Sequence, residues 1–212
     1  MKKLILIGGG GHCKVVMEAL SLCREFTVAG IVDKKEKVGK KVSGVLIIGE
    51  DGLLEEYFKK RIRHCLVTVG SIACMDLRIK LFNRAKRIGF SLPSIVHPRA
   101  IVSKSASIGE GSYIGAGAVI NPGVMIGDNC IINTGSIVEH DCVIAAHVHI
   151  APGVAMSGGV RIGEGTHIGT GSSVKQYVNI GKNVVVGVGS VVVGDIADNL
   201  VVCGNPCRVM KK

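Results

Sequence analysis

The stretch that decides the fold runs from Ile114 to Ile132 and reads Ile-Gly-Ala-Gly-Ala-Val-Ile-Asn-Pro-Gly-Val-Met-Ile-Gly-Asp-Asn-Cys-Ile-Ile. An isoleucine occupies every sixth position of this stretch. The same spacing extends from Val96 to Val192, where all seventeen such positions are aliphatic and all except Met156 are Ile or Val. A period of six matches neither an amphipathic helix nor the two-residue alternation of a half-exposed strand.

The six-residue period predicts an all-β solenoid in which three hexads form one triangular coil of parallel strands. We expect the aliphatic residue, position one of each hexad, to point inward together with the small or β-branched residue at position five. Position two is often Gly or Asn, as at Gly109 and Asn121, which predicts a turn with positive φ there. At about 4.8 Å per coil, five to six coils predict a prism roughly 27 Å tall.

The first ninety residues predict a small Rossmann-like α/β domain. A strand-like run, Leu4–Ile7, leads into four glycines and a helical pattern. Two further strands are predicted at Val28–Val32 and Cys65–Val69, and a second helix at Met75–Ile88. We therefore divide the chain into an α/β domain of residues 1–93, a solenoid of residues 94–198 and a C-terminal tail of residues 199–212.

Ligands of parallel α/β sheets bind beyond the carboxyl ends of the strands. This rule brings Gly8–His12, Asp33–Lys34 and Gly70–Ser71 around one crevice. The glycines would let a phosphate approach the N–H groups of a helix N-terminus, and Asp33 could accept a hydrogen bond from a ribose or a base. Cys13 replaces the third glycine of a dinucleotide fingerprint, so a purely structural turn stays an alternative.

Charge and composition narrow the range of partners. The net charge is +10, of which residues 1–90 carry +9 and residues 91–212 carry +1. The basic part could attract a nucleotide diphosphate, or it could be an ordinary solvated surface. An aromatic content of 3% argues against a nucleic-acid platform, and no apolar run is long enough for a membrane span. Eight cysteines without a secretory signal favour a reducing cytoplasm, and their spacing indicates no metal site.

The richest polar segment of the solenoid contains Glu139, His140 and Asp141. A histidine flanked by carboxylates is typical of a general base, and either Asp141 or Glu139 could orient the ring. We expect the backbone N–H of Gly158 to stabilise an oxyanion. Cys142 should point inward, so no covalent acyl-enzyme is expected. Zinc is the competing use of the histidines, but the chain lacks a His-x4-His pair.

His149 follows His140 by nine residues, which is half of an eighteen-residue coil. The two side chains should therefore leave the prism on nearly opposite sides. They can meet only if prisms pack side by side, which predicts active sites at the interfaces of a cyclic homotrimer. His167 lies eighteen residues after His149, so the two should stack in one outer row that could form the wall of a long ligand site.

In combination, several motifs resemble the sugar O-/N-acyltransferases, which include sialic acid O-acetyltransferases and acetyltransferases of nucleotide-linked 4-amino sugars. The similarity covers essentially the whole chain. The motifs are the glycine run ending at His12, the uninterrupted hexads, the segments around His140 and His149, Ser-Gly-Gly-Val160, and the tail Gly204-Asn-Pro-Cys-Arg208. The tail of this family usually has Ala where Cys207 stands, and a second acid where Lys34 stands.

The resemblance implies a left-handed solenoid and direct acetyl transfer from acetyl-CoA, with His140 as base tuned by Asp141. It implies a nucleotide-sugar site lined by Gly10, Gly11, His12, Asp33, Lys34 and Gly70. It also implies an acetyl-CoA site that includes His149, Thr170, Gly187 and Val188. Acetylation of an amine on a nucleotide-linked 4-amino sugar is the leading interpretation. The alternatives are O-acetylation of sialic acid, or of its precursor, and a non-catalytic partner of a synthase that binds nucleotide sugars.

Overall fold

The computed structural model describes residues 1–71 and 74–210. The chain divides into two compact units. The first comprises Met1–Ser71 and Asp76–Pro98, and the second contains the residues from Arg99 onward. None of the helices within the described residues is both long and apolar enough to cross a lipid bilayer.

The first unit is built on a five-stranded sheet with the order β3-β4-β2-β1-β5. Its strands are Lys2–Ile7 (β1), Phe26–Val32 (β2), Lys41–Val42 (β3), Val45–Gly49 (β4) and His64–Val67 (β5). Its α-helices are Gly11–Cys23 (α1), Leu54–Lys59 (α2) and Asp76–Ile88 (α3), and short 3-10 helices span Lys35–Lys37 and Asp51–Leu53. The strands β1, β2, β4 and β5 run parallel, whereas β3 pairs antiparallel with β4.

This sheet has two strands that the sequence did not predict. The hairpin of β3 and β4 turns at Ser43 and Gly44, which both have positive φ, 44° and 85°. Two such residues in a two-residue loop are typical of a tight hairpin turn. The interior strand β1 was predicted correctly from its continuous apolar run. Its residues Leu4 to Ile7 are at most 1% exposed, which is typical of a strand covered on both faces.

The second unit consists of two-residue strands at every hexad. They are Ile101–Val102 (β7), Ser107–Ile108 (β8), Tyr113–Ile114 (β9), Val119–Ile120 (β10), Met125–Ile126 (β11), Ile131–Ile132 (β12), Ile137–Val138 (β13), Val143–Ile144 (β14), His149–Ile150 (β15), Ala155–Met156 (β16), Arg161–Ile162 (β17), His167–Ile168 (β18), Ser173–Val174 (β19), Asn179–Ile180 (β20), Val185–Val186 (β21) and Val191–Val192 (β22). Ile95–Val96 (β6) precedes them in the chain, at the end of the first unit.

These strands form three parallel sheets, one for each side of the coil. The first sheet contains β7, β10, β13, β16, β19 and β22, the second contains β8, β11, β14, β17 and β20, and the third contains β9, β12, β15, β18 and β21. Each strand pairs with the strand eighteen residues away, as Ile120 does with Val138. The predicted coil of three hexads is therefore confirmed.

The interior of the solenoid is filled as the repeat predicts. Position one is closed to solvent, for example at Ile132 and Val138, and so is position five, for example at Cys130 and Val148, all 0% exposed. Complete burial of each Val or Ile side chain contributes about 1.5–3 kcal/mol. Stacked aliphatic columns therefore stabilise a prism that has almost no aromatic residues.

The prediction of positive φ at position two is wrong. The left-handed residues stand at position four, as at Gly111 with φ 65° and Asn129 with φ 56°. The glycines at position two are small for another reason, namely the close approach of successive coils. A Cβ on Gly127 would lie 2.6 Å from the backbone nitrogen of Ala146, and one on Gly163 would lie 2.5 Å from the carbonyl carbon of Gly181.

The predicted C-terminal tail contains regular structure. Val201–Gly204 (β23) pairs in parallel with β21, and Cys207–Val209 (β24) returns antiparallel to β23. Both strands therefore extend the third sheet. A further bridge, between Ile180 and Ile196, continues the second sheet.

Candidate active site

A histidine–carboxylate dyad stands at the corner where the first sheet passes into the second. His140 and Asp141 lie between β13 and β14, and Nδ1 of His140 lies 2.9 Å from Oδ2 of Asp141. Because a carboxylate only accepts hydrogen bonds, Nδ1 carries the proton and Nε2 keeps its lone pair. The imidazole is thus held in the tautomer that a general base requires.

The backbone of Asp141 explains which carboxylate reaches the ring. Asp141 stands at position four and is left-handed, with φ 59°, a conformation that Asp tolerates better than most residues. Its side chain points back to the preceding residue. Glu139, the other carboxylate that the sequence offered, forms no hydrogen bond to His140 within the described residues.

Two glycines in the neighbouring coils make room for the dyad. A Cβ on Gly158 would lie 2.5 Å from Nε2 of His140, and a Cβ on Gly123 would lie 2.4 Å from Oδ1 of Asp141. Both distances are shorter than real carbon contacts allow. The imidazole therefore lies directly over Gly158, one coil further along the chain.

The backbone N–H of Gly158, the predicted oxyanion donor, is available. Within residues 1–71 and 74–210 it donates to no protein acceptor. At the same hexad position of other coils, Glu110 and Lys182 donate their N–H groups to the carboxylates of Asp128 and Asp198. Because Gly158 lies against the ring of His140, its N–H could donate to an oxygen that gains negative charge beside the base.

Cys142 lies two residues after His140 and points into the prism, as predicted. It is 0% exposed, and its thiol donates to the carbonyl oxygen of Ser157 at 3.3 Å. Burial raises the pKa of this thiol. A protonated, enclosed thiol is a poor nucleophile, so Cys142 does not compete with direct transfer.

His149 lies on the third sheet, away from the corner that carries His140. It pairs with His167 in the next coil, and the two ring centroids lie 4.8 Å apart at an interplanar angle of 67°. Nε2 of His149 accepts a hydrogen bond from the side-chain amide of Asn133 at 3.2 Å. The predicted stacking of the two histidines is therefore confirmed.

In the single chain, the histidine row that could form the wall of a long ligand site is mostly buried. His149 and His167 are 7% and 8% exposed, because the two rings pack on each other and their ladder partners, Ile131 and Val185, enclose them. Burial lowers the pKa of the His167 imidazole.

The other predicted acetyl-CoA contacts surround the corner between the third sheet and the first. Thr170 and Val188 both stand at position three of this corner, one coil apart, and Val188 is 77% exposed. Gly187 has a packing role, since a Cβ there would lie 2.6 Å from the Cβ of Cys203. Its N–H donates to the carbonyl of Val202, so this N–H is not available to donate to acetyl-CoA.

In the first unit, the glycine run joins β1 to α1 as predicted. Gly8 has φ 107°, and a Cβ on it would lie 2.5 Å from Cγ2 of Val69, so only glycine fits. Gly10 is the N-cap of α1 without a side-chain cap, and the first turn contains no acidic residue. The helix N-terminus is therefore open for an anion that approaches Gly10, Gly11 and His12.

Asp33 holds this glycine run in place. Its Oδ2 accepts the N–H of Gly9 at 2.7 Å and the ammonium of Lys37 at 2.9 Å, and its Oδ1 accepts the N–H of Lys34 at 2.7 Å. Burial alone would raise the pKa of this carboxyl, but these three donors outweigh it and lower the pKa. The carboxylate keeps little free acceptor capacity for a ribose or a base.

A cavity of about 350 Å³ opens beside these residues. Of the predicted nucleotide-site residues, Asp33 and Lys34 line it, whereas Gly10, Gly11, His12 and Gly70 do not. Glu36, Glu50 and Asp51 also line it, and the sequence analysis missed them because they follow strands without a recognisable motif. No cluster of three or more His, Cys, Asp or Glu side chains suited to a metal ion occurs among the described residues.

Comparison with known proteins identifies the family. The family described as PglD N-terminal domain matches residues 3–85. The chain is 40% identical to a histidine-to-asparagine variant of perosamine N-acetyltransferase from Caulobacter crescentus, solved with CoA and GDP-perosamine, over 100% of this chain and 98% of that one, with a TM-score of 0.94. The chain belongs to the hexapeptide-repeat acetyltransferases of nucleotide sugars.

Two further solved proteins are similar to this chain over their full length. The acetyltransferase domain of PglB from Neisseria gonorrhoeae, solved with acetyl coenzyme A, is 39% identical over 99% of both chains, with a TM-score of 0.90. WeeI from Acinetobacter baumannii is 26% identical over 99% of this chain and 100% of that chain, with a TM-score of 0.85. The Saccharomyces cerevisiae protein YJL218W is 60% identical over 35 residues, which span 16% of this chain and 18% of that protein.

Membership of the acetyltransferase family confirms the predicted fold class, an α/β unit followed by a left-handed parallel β-helix. It also confirms the predicted enzyme class, with acetyl-CoA as the co-substrate. The sequence analysis missed one residue near the dyad of this acetyltransferase. Tyr177 stands at a hexad position that is otherwise mostly Gly, Asn or Asp, and this departure was the available signal.

Proposed function

We propose that this acetyltransferase transfers the acetyl group of acetyl-CoA to the amine of a nucleotide-linked 4-amino sugar. The observation that carries the proposal is the His140–Asp141 dyad, whose imidazole packs on Gly158, a residue whose N–H donates to no protein acceptor within residues 1–71 and 74–210. The full-length similarity to an enzyme solved with CoA and GDP-perosamine supports an amine acceptor. It favours this acceptor over the hydroxyl of sialic acid and over a non-catalytic role.

In the proposed reaction the amine nitrogen attacks the thioester carbonyl carbon. Nε2 of His140 takes the proton that the nitrogen gives up, and Asp141 stabilises the resulting imidazolium. The N–H of Gly158 donates to the oxyanion. The carbon–sulfur bond then breaks, CoA leaves as a thiolate that takes the proton from the His140 imidazolium, and the sugar amide remains.

The first unit supplies the proposed site for the nucleotide diphosphate. The open N-terminus of α1, at Gly10, Gly11 and His12, suits the phosphates. The cavity beside Asp33 and Lys34 suits the nucleoside. Asp33 would act mainly by positioning the glycine run, since its oxygens already accept three hydrogen bonds from the protein.

We propose in addition that the active site forms between protomers of a cyclic homotrimer. His140 lies at the corner between the first and second sheets, whereas His149 lies on the third sheet, so one protomer cannot bring them together. A neighbouring protomer would supply His149, Thr170 and Val188 as contacts for acetyl-CoA.

All eight cysteines are free, which favours the reducing cytoplasm as the location.

The test measures release of free CoA thiol with a panel of acceptors. The panel contains GDP-perosamine, UDP-linked 4-amino sugars and sialic acid, and mass spectrometry identifies the acetylated atom. We expect N-acetylation of a nucleotide-linked amine. The variant His140→Gln should lower kcat by about 10²–10⁴ while the trimer mass stays unchanged. Thiol release with sialic acid alone would contradict the proposal, and so would an active His140→Gln trimer.

A further inference from the structure

We infer that Tyr177 is a positioning residue for the pantetheine arm of acetyl-CoA, an inference that rests on the proposed function and its interface. Tyr177 stands at position four with φ 61°. From 111 to 189 the other residues at this position are Gly, Asn and Asp, apart from His147. A bulky side chain on a left-handed backbone is rare, and such outliers cluster at functional sites.

Packing against the part of the chain that the structure describes does not account for the tyrosine ring. Tyr177 is 68% exposed, so burial does not repay the unfavourable backbone. The ring lies on the backbone of Gly159, where a Cβ would come within 2.4 Å of its Cδ1. Gly159 itself has φ 68°, so the left-handed turn already favours glycine there, and the missing side chain leaves room for the exposed ring.

The ring lies on the same corner as the catalytic dyad. The N–H of Tyr177 donates to the carbonyl of Gly158 at 3.0 Å, and the N–H of Gly159 donates to the carbonyl of His140 at 2.9 Å. His140 thus covers Gly158 while Tyr177 covers Gly159. The pair Gly158–Gly159 separates the base from an aromatic surface that faces solvent.

The position of Tyr177 along the axis of the prism favours a contact with acetyl-CoA, the acetyl donor, over a contact with the sugar acceptor. Tyr177 lies two coils beyond His140 toward the C-terminus, a rise of about 10 Å. The proposed CoA contacts advance in the same direction, from His149 through Thr170 to Val188. A thioester beside His140 would therefore place its pantetheine arm along the ring of Tyr177.

The experiment compares Tyr177→Asn, which removes the ring and suits a left-handed backbone, with Tyr177→Phe, which keeps the ring. Calorimetry measures the Kd of CoA, and kinetics compares acetyl-CoA with S-acetyl-N-acetylcysteamine, a donor too short to reach Tyr177. We expect the Asn variant to raise the Kd of CoA and the KM of acetyl-CoA about tenfold, as loss of a contacting aromatic surface should, and the Phe variant to stay within about twofold. Rates with the short donor and the KM of the sugar should not change.

Asn183→Ala is the matched control, because Asn183 has a similar φ, 52°, on a different corner. It should leave every parameter unchanged. An unchanged Kd for CoA in Tyr177→Asn would overturn the inference, and so would an equal loss with the short donor or a rise only in the KM of the sugar. If the wild type acetylates nothing in the panel, the proposed function fails first, which separates the two results.

Discussion

At the scale of single residues, the position of the proposed general base, His140, depends on the glycines in the neighbouring coils. His140 and Asp141 fit the corner because Gly158 and Gly123 carry no side chains above and below them. The left-handed φ of Asp141, 59°, selects this carboxylate over Glu139. The position of the dyad is therefore a product of three coils, not of one motif.

Gly158→Ala should lower kcat by about 10²-fold with little change in the Kd of CoA. The new Cβ would lie 2.5 Å from Nε2 and 2.6 Å from Cε1 of His140, so the ring must move. A displacement of about 1 Å at a reacting group costs about this factor. Steady-state kinetics and calorimetry check the result.

Gly194→Ala provides the matched control for this substitution. Gly194 stands at the same hexad position of the same corner, and a Cβ there meets nothing within 4 Å. It should keep the wild-type kcat. Equal activity in the two variants would mean that the ring of His140 does not need its place over Gly158.

The sequence could predict the dyad only in part. The sequence shows that His140 stands between two acids. Which of the two carboxylates bonds to the imidazole depends on the backbone φ of Asp141, which the sequence alone does not give. Tyr177 was overlooked because the hexad pattern was read for its inward residues. Its signal, a bulky residue at position four, becomes visible only once the positive φ is assigned to that position rather than to position two.

At the scale of elements, the third sheet carries a buried ladder of two histidines. His149 and His167 pair across neighbouring strands and pack edge to face. Burial lowers the pKa of His167 below its usual range. The folded chain therefore resists protonation of a group that the unfolded chain protonates readily.

The free energy of unfolding should fall as the pH drops below about 6.5, the usual pKa of histidine. Below this value the unfolded chain binds a proton that folded His167 does not bind, so acid favours unfolding by at most about 1.4 kcal/mol per pH unit. His167→Gln should lessen the fall. Urea unfolding followed by circular dichroism at fixed protein concentration, between pH 7.5 and about 5, measures both slopes. Identical slopes would exclude His167 as the source.

Elements with strict repetition were predicted best. The six-residue period requires a whole number of hexads per coil, and the three-sided hexapeptide solenoid makes that number three, which pairs Ile120 with Val138. The hairpin of β3 and β4 escaped prediction because β3 contains only Lys41 and Val42, and Lys40 and Lys41 precede the turn without an alternating apolar pattern. The tail strand β23 was missed because its pairing with β21 breaks the hexad spacing.

At the scale of the whole molecule, the proposed site requires two protomers. His140 and His149 belong to different sides of one coil, and no side-chain movement can change that. Sequence spacing predicted this separation, because nine residues are half of a coil. The partner that closes the site could not be identified by the same argument and remains our proposal.

Mixed trimers of His140→Ala and His149→Asn should regain activity that neither variant has alone. Co-expression with two affinity tags isolates trimers that contain both chains. In either composition one interface out of three pairs an intact His140 with an intact His149, so we expect about one third of the wild-type rate. Mixed trimers as inactive as the parent variants would mean that each chain builds its own site.

The eighteen-residue register also limits how this chain can change in length. Deletion of one residue within the prism would rotate every later side chain by one place and turn the aliphatic columns toward water. Duplication of a complete winding would leave the stacking intact. A duplicated winding between Gly159 and Tyr177 would move the tyrosine one coil further from the base along the prism axis, by about 4.8 Å. Insertions in the prism are therefore tolerated only as complete windings, and each added winding would change the distance between the base and the residues that contact acetyl-CoA.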